Sequence, residues 1–169
     1  MIVFDSSTLI LLAKIELLDY FIDDYKGSVV IPREVEAECG HKKDSFDALM
    51  IQKRISEKKI DVSEGSNIVL CNKFMEDFSI DRGEAEAIVL ALDKRAKIVG
   101  VDDRNAIKAC RILKLPFTSA VSILVRLVEH GVIDINTARI KLELLIKYGR
   151  YGNAIIKQVK DRLKIQEGG

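Results

Sequence analysis

Asp5, Glu84 and the adjoining Asp102 and Asp103 stand where an apolar run stops or an apolar helix starts, and carboxylates so placed can do more than face water. Ile2-Val3-Phe4 ends on Asp5, with Ser6 and Ser7 directly behind it. Gly83-Glu84-Ala85-Glu86 opens a strongly apolar stretch, and Val99-Gly100-Val101 stops on the two aspartates. In an open α/β sheet, ligands bind outside the carboxyl ends of the strands. Asp5, Ser6 or Ser7 equally suits the cap of a helix beginning near Thr8. Several carboxylates at one sheet end raise one another's pKa, and a divalent cation relieves the repulsion. Carboxylate oxygens with the Ser7 hydroxyl are hard donors that fit Mg²⁺ or Mn²⁺ and not zinc. An ion held so activates water and stabilises charge developing on a phosphate, which makes phosphodiester hydrolysis the reaction class.

The spacing leaves choices open among the acids. Glu84 and Glu86 lie about 200° apart on a helix, so one is expected to face the sheet end and the other solvent. On the helix that follows Pro32, Glu34, Glu36 and Glu38 divide between faces, and Glu38, beside Cys39 and three residues from Val35, can sit at the edge of the buried stripe. Asp102 and Asp103 both follow their strand directly, so position does not separate them.

Other chemistries find no support. There is no G-x-x-x-x-G-K or G-x-G-x-x-G to cradle phosphates, and the two histidines, His41 after Gly40 and His130 before Gly131, suit loops or helix ends rather than a Ser-His-Asp arrangement. Cys39, Cys71 and Cys110 are widely spaced without a C-x-x-C pair and read as small core residues. A net charge of +1 gives no polycationic footprint, so any nucleic-acid contact is local.

The elements that must position these acids alternate. A strand over 2–4 leads to apolar residues at helical spacing from Leu9 to Phe21, interrupted between Lys14 and Glu16. Ser28 to Ile31 is a second strand, with Pro32 in the first turn of the next helix. Residues 44–58 make a helix with Phe46, Leu49, Met50 and Ile55 inward, and Ile60 with Val62 a short strand that Gly65 ends. Helices over 68–78 and from Gly83, with Asp81 as N-cap, precede a strand over 96–101. A helix over 105–113, an edge piece over 115–118 and a helix capped by Thr118 or Ser119 and closed by Gly131 follow. Two further helices, about 136–148 with Ile140, Leu144 and Leu145 apolar and about 153–165, end the chain. Strands alternating with helices give an α/β fold with a mainly parallel sheet.

At 169 residues, 48% hydrophobic and 31% charged, the chain is expected to form a single globular domain with a helical tail. No apolar run approaches the roughly 20 residues of a membrane helix. The N-terminus has no basic region ahead of its first apolar residues, so neither a secretory signal nor a transit peptide is expected and the expected location is cytoplasmic.

The segments I-V-F-D-S-S-T-L-I, I-P-R-E-V-E-A-E-C, G-E-A-E-A-I-V-L-A and V-G-V-D-D-R resemble, in this order and spacing, the PIN-domain ribonucleases over roughly residues 1–130. The resemblance is nearest to a branch with G-E-A-E-A-I and a double aspartate, often paired with antitoxins in prokaryotic genomes. It implies a three-layer α/β/α fold with a nuclease domain over 1–131. A helical extension over 132–169 would pack on the body, a second subunit or a partner. It further implies Mg²⁺- or Mn²⁺-dependent cleavage of single-stranded or structured RNA, a homodimer and an antitoxin partner. Carried onto this sequence, the family's catalytic and metal-binding acids fall on Asp5, Glu38, Glu84 and either Asp102 or Asp103, with Ser7 as the small hydroxyl residue beside the first and Arg104 near substrate. Asn105-Ala106 stands where a Gly-Arg pair is common and Ser119 where a glycine often follows; the acids are intact. The rival readings are a non-catalytic PIN scaffold for RNA binding or assembly and a haloacid-dehalogenase-type phosphatase. The phosphatase needs a second acid where this chain has Ser7.

Overall fold

The structure is a computed structural model that describes residues 1–64 and 67–165. Three apolar residues form β1 (Ile2–Phe4), which runs directly into α1 (Ser6–Lys14). The expected interruption is a left-handed Glu16 with φ 54°, after which α2 (Leu18–Asp24) begins. In order there follow β2 (Val29–Pro32), α3 (Arg33–Cys39), α4 (Phe46–Ser56), β3 (Asp61–Ser63), α5 (Ile68–Phe78), α6 (Arg82–Asp93), β4 (Ile98–Gly100), α7 (Arg104–Ile112), β5 (Phe117–Thr118), α8 (Ala120–Glu129), α9 (Ile135–Tyr148) and α10 (Asn153–Leu163).

The strands pair in the order β3-β2-β1-β4-β5, all parallel. Parallel neighbours need long crossovers, and here helices cover both faces to give three layers, α/β/α. Side chains of β1 part alternately: Ile2 and Phe4 join α1, α2, α8, α9 and α10 in one apolar cluster, while Val3 joins α5, α6 and α7 in the other. Burial on both faces is why these strands read as unbroken apolar runs. Gly100 pairs in register with Phe4, and a Cβ there would fall 2.1 Å from Phe4 Cδ1, so the phenyl ring occupies the room a side chain would need.

Residues 132–165 lie on the body. Ala138, Leu142 and Leu145 of α9 and Ile156, Val159 and Leu163 of α10 belong to the same cluster as β1. Among the described residues no helix is long and apolar enough to cross a membrane. Cys39, Cys71 and Cys110 are free and buried.

The inward faces of two helices differ from expectation. In α4, Ala48 and Ile51 are buried and Met50 and Ile55 pack partly, whereas Phe46 and Leu49 are exposed at 55% and 57%. α4 packs against α1 through the face that carries Ala48 and Ile51. In α9 the buried stripe is Ala138, Leu142 and Leu145, and Ile140 is exposed. Pro32 is the N-cap of α3, one residue before its first turn. Gly65, expected to end β3, and residues 166–169 lie outside the described residues.

Candidate functional site

Because every strand is parallel, their carboxyl ends share one edge of the sheet, and β1 and β4 deliver Asp5 and Asp102 there. Asp5 is fully buried and is the N-cap of α1: Oδ1 accepts from the Thr8 amide at 2.8 Å and Oδ2 from the Ser7 hydroxyl at 2.9 Å. Its own amide donates to the Gly100 carbonyl at 3.0 Å, which ties the end of β1 to β4. Capping and placement at the sheet edge are therefore two properties of one residue. Burial pushes its pKa from 3.8 up to about 7 against the lowering hydrogen bonds of Thr8 and Ser7, and the charge of Asp102 adds to the rise.

The Asp102-Asp103 pair splits. Asp102 turns inward, Oδ2 accepting from the Ala120 amide at 3.0 Å and Oδ1 from the Tyr151 hydroxyl. Burial raises its pKa, and the hydrogen bonds from Tyr151 and Ala120 oppose the rise. Asp103 is exposed and caps α7, its Oδ1 accepting from the Asn105 and Ala106 amides at 2.7 and 3.1 Å. Arg104, exposed at the start of α7, forms no ion pair among the described residues.

Glu84 sits in a capping box at the start of α6, its amide donating to Asp81 Oδ1 at 2.8 Å and its Oε2 accepting from the Asp81 amide at 3.0 Å. Burial pushes its pKa from 4.5 up to about 8, and the charges of Asp81, Asp103 and Asp5 add to the rise. Glu86 does not face solvent as expected. It is buried and accepts from Arg82 Nε at 3.1 Å, because α6 is enclosed along nearly its whole length from Gly83 to Ala91.

Glu38, near the end of α3, is half-buried with its carboxylate against Gly83 of α6. Burial raises its pKa, the nearby Ser6 hydroxyl lowers it, and the charges of Asp81 and Glu34 add to the rise. Glu34 instead lies 3.6 Å from Arg82 Nε, and Glu36 lines a separate hollow with Arg33, His41 and Gln52.

A common physical device runs through the cluster. Asp5 and Asp103 cap α1 and α7, Glu84 lies in the first turn of α6 with Glu38 beside it, and Asp102 takes the first amide of α8. Unpaired amides and the positive end of the helix dipole favour negative charge at each of these points. Among the described residues no lysine or arginine forms an ion pair with Asp5, Glu38, Glu84, Asp102 or Asp103. Among the described residues, too, no three His, Cys, Asp or Glu side chains converge into a ready metal-binding group.

Three participants escape the sequence reading. Thr8 is fully buried at the start of α1, near both Asp5 and Asp102, with its Oγ1 lacking any well-directed hydrogen-bond partner. The only signal for it is its position three residues after the cap. Asp81, readable as an N-cap, also brings negative charge to Glu84 and Glu38. Tyr151 carries no sequence signal beyond being an aromatic residue between two helices.

A family model described as a PIN domain matches residues 1–164. Neither the curated proteins nor the solved structures provide a significant match.

Proposed function

The chain belongs to the PIN-domain family, a nuclease fold, and from that membership and the acids at its sheet edge we propose that it is a Mg²⁺- or Mn²⁺-dependent ribonuclease hydrolysing RNA phosphodiester bonds. The observation that carries this reading is that Asp5 and Glu84 are both buried at the sheet edge, raised to about 7 and about 8, with no lysine or arginine paired to either among the described residues. Buried acids without a counter-cation either hold protons or await a positive charge. The donor set fits a hard divalent ion: carboxylate oxygens and hydroxyls, with no thiol or imidazole among them.

Asp5, Glu38, Glu84 and Asp102 would hold the ion, with Asp103 contributing charge from the rim. Bound there, it would supply activation of water and stabilisation of charge on the phosphate. The chain's own part is positional. Ser7 and the Thr8 amide fix the Asp5 carboxylate, and the capping box fixes Glu84 through Oε2. That leaves Glu84 Oε1 as the oxygen of this residue that would be available to the ion. An RNA substrate, an antitoxin partner, a homodimer and a cytoplasmic location belong to the same proposal. Surface for association is present, with Ile68, Val69 and Ile112 exposed at 63%, 80% and 58%.

A second reading, a PIN scaffold that binds RNA or assembles without cleaving, is favoured by one observation. No three acids converge among the described residues, and both oxygens of Asp102 already accept hydrogen bonds. Calorimetric titration with Mn²⁺, run beside cleavage of single-stranded RNA with Mg²⁺, Mn²⁺ or chelator, separates the two. Metal binding with metal-dependent cleavage is the expected result. Absence of Mn²⁺ binding would leave the scaffold reading, and cleavage persisting in chelator would remove the metal from the mechanism.

A further inference from the structure

We propose that Tyr151 is the positioning residue for Asp102, and that it makes Asp102 rather than Asp103 the strand-end acid that works with Asp5; the inference deepens the nuclease reading and rests on it. Tyr151 lies in the turn between α9 and α10, 49 residues from Asp102 along the chain, and its hydroxyl donates to Asp102 Oδ1 while the Ala120 amide donates to Oδ2 at 3.0 Å. Two donors, one on each oxygen, fix both the position and the rotation of the carboxylate. Each oxygen keeps a further lone pair. The phenol is itself held: its oxygen lies near the Val121 amide, and its ring packs so close to Gly149 that a Cβ there would fall 2.6 Å from Tyr151 Cε2. Asp103 has no such partner and spends Oδ1 on the amides of α7.

The choice of a phenol has a physical reason. A lysine or arginine at this point would orient Asp102 and also cancel its charge. A neutral hydroxyl orients the carboxylate and leaves the charge available to a cation. Hydrogen-bond partners of ligating carboxylates act in this way, and their loss typically costs about 10- to 100-fold in metal affinity. The turn between α9 and α10 is on this argument part of the site, and the docking of α9 and α10 on the body serves to deliver it.

The test uses the full chain in four forms: wild type, Tyr151→Phe, Asp102→Asn and the double variant. Mn²⁺ affinity is measured by calorimetry, and metal-free crystal structures are determined for wild type and Tyr151→Phe. Tyr151→Phe is expected to weaken Mn²⁺ binding about 10- to 100-fold, to leave Asp102 rotated or in more than one orientation, and to have no further effect when Asp102 is already asparagine. A purely structural role for Tyr151 would give equal losses in both backgrounds. Wild-type affinity in Tyr151→Phe, or equal losses in the two backgrounds, would overturn the assignment while the nuclease reading stood. If wild type neither bound Mn²⁺ nor cleaved RNA, the nuclease reading would fail, and the metal-free structures would still decide the positioning role: an unmoved Asp102 carboxylate in Tyr151→Phe rejects it.

Discussion

The carboxylate of Glu38 occupies the space that a side chain on Gly83 would need: a Cβ built there falls 2.5 Å from Glu38 Oε2 and 2.7 Å from Oε1. Gly83, the second residue of α6, thus allows an acid from α3 to lie against the start of the helix that carries Glu84. Gly83→Ala should therefore separate stability from function. Alanine suits a helix better than glycine by roughly 0.5–1 kcal/mol, and the obstructing atoms are the end of a flexible side chain that can swing away. The expected outcome is a melting temperature within a few degrees of wild type and loss of most RNA cleavage. A variant that unfolds, or one that cleaves normally, would contradict this.

Asp5 is expected to be costly to the metal-free fold and necessary to activity. It is fully buried, with a pKa pushed up to about 7 chiefly by burial, so at pH 8 the folded protein carries an enclosed negative charge. Asp5→Asn removes that charge yet keeps an oxygen to accept from the Thr8 amide, and asparagine caps helices as well as aspartate does. Melting at pH 8 in chelator should be unchanged or a few degrees higher, while cleavage and Mn²⁺ binding fall by about two orders of magnitude or more. A large drop in melting temperature would mean that the carboxylate acts chiefly as a structural cap.

The sign of the pH dependence follows from the same residues. Asp5 and Glu84 have folded pKa values of about 7 and about 8 against ordinary values of 3.8 and 4.5, so between pH 5 and 8 the folded chain binds more protons than the unfolded one. Metal-free stability must then fall as pH rises through that window. The lowered carboxyls Asp19, Asp24 and Asp134 act only at lower pH, where their unfolded forms begin to protonate. At about 1.4 kcal/mol per pKa unit, the rise at Asp5 limits its own contribution to roughly 4 kcal/mol, and Glu84 adds to it in the same direction. Melting in chelator should drop by several degrees from pH 5.5 to 8, and Mn²⁺ should raise the pH 8 value more than the pH 5.5 value. A melting temperature that climbs with pH in chelator would remove the buried, protonated acids from the picture.

What was legible in the sequence depended on how local the cause was. Asp5 and the Asp102-Asp103 pair could be placed at strand ends because an apolar run buried on both faces has to stop there, and Asp81 could be read as a cap from its neighbours alone. Which of the two aspartates turns inward could not, because it is decided by Ala120 and Tyr151, 18 and 49 residues away. Glu86 was misjudged for a similar reason: a helical wheel allows for one buried wall, whereas α6 packs on the sheet and also against α3, α5 and α7. In α4 side-chain size suggested Phe46 and Leu49 as core, but the close approach of α1 selects the face with Ala48 and Ile51.

The second acid offers the sharpest discrimination, because three glutamates on one short helix differ in everything but type. Helical periodicity alone leaves Glu34 about 40° from Glu38 and one turn, roughly 5–6 Å, nearer the helix start. The surroundings now distinguish them. Glu34 lies 3.6 Å from Arg82 Nε, with which it pairs, and Glu36 lines the hollow beside Arg33 and His41. Glu38 alone lies beside Ser6 and Gly83, next to the Asp5 and Glu84 segments, and its pKa is raised by burial and by the charges of Asp81 and Glu34. Removing its charge should therefore relieve repulsion in the metal-free protein and cost affinity for a cation. Glu38→Gln is expected to lower Mn²⁺ affinity and RNA cleavage at least about tenfold without lowering the melting temperature in chelator. Glu36→Gln should match wild type in all three measurements. Glu34→Gln should lose only its exposed pairing with Arg82, a small change because water screens such pairs. Were Glu34→Gln the damaging variant, the acid facing Asp5 would come from one turn earlier in α3, and the close approach of Glu38 to Gly83 would be packing alone.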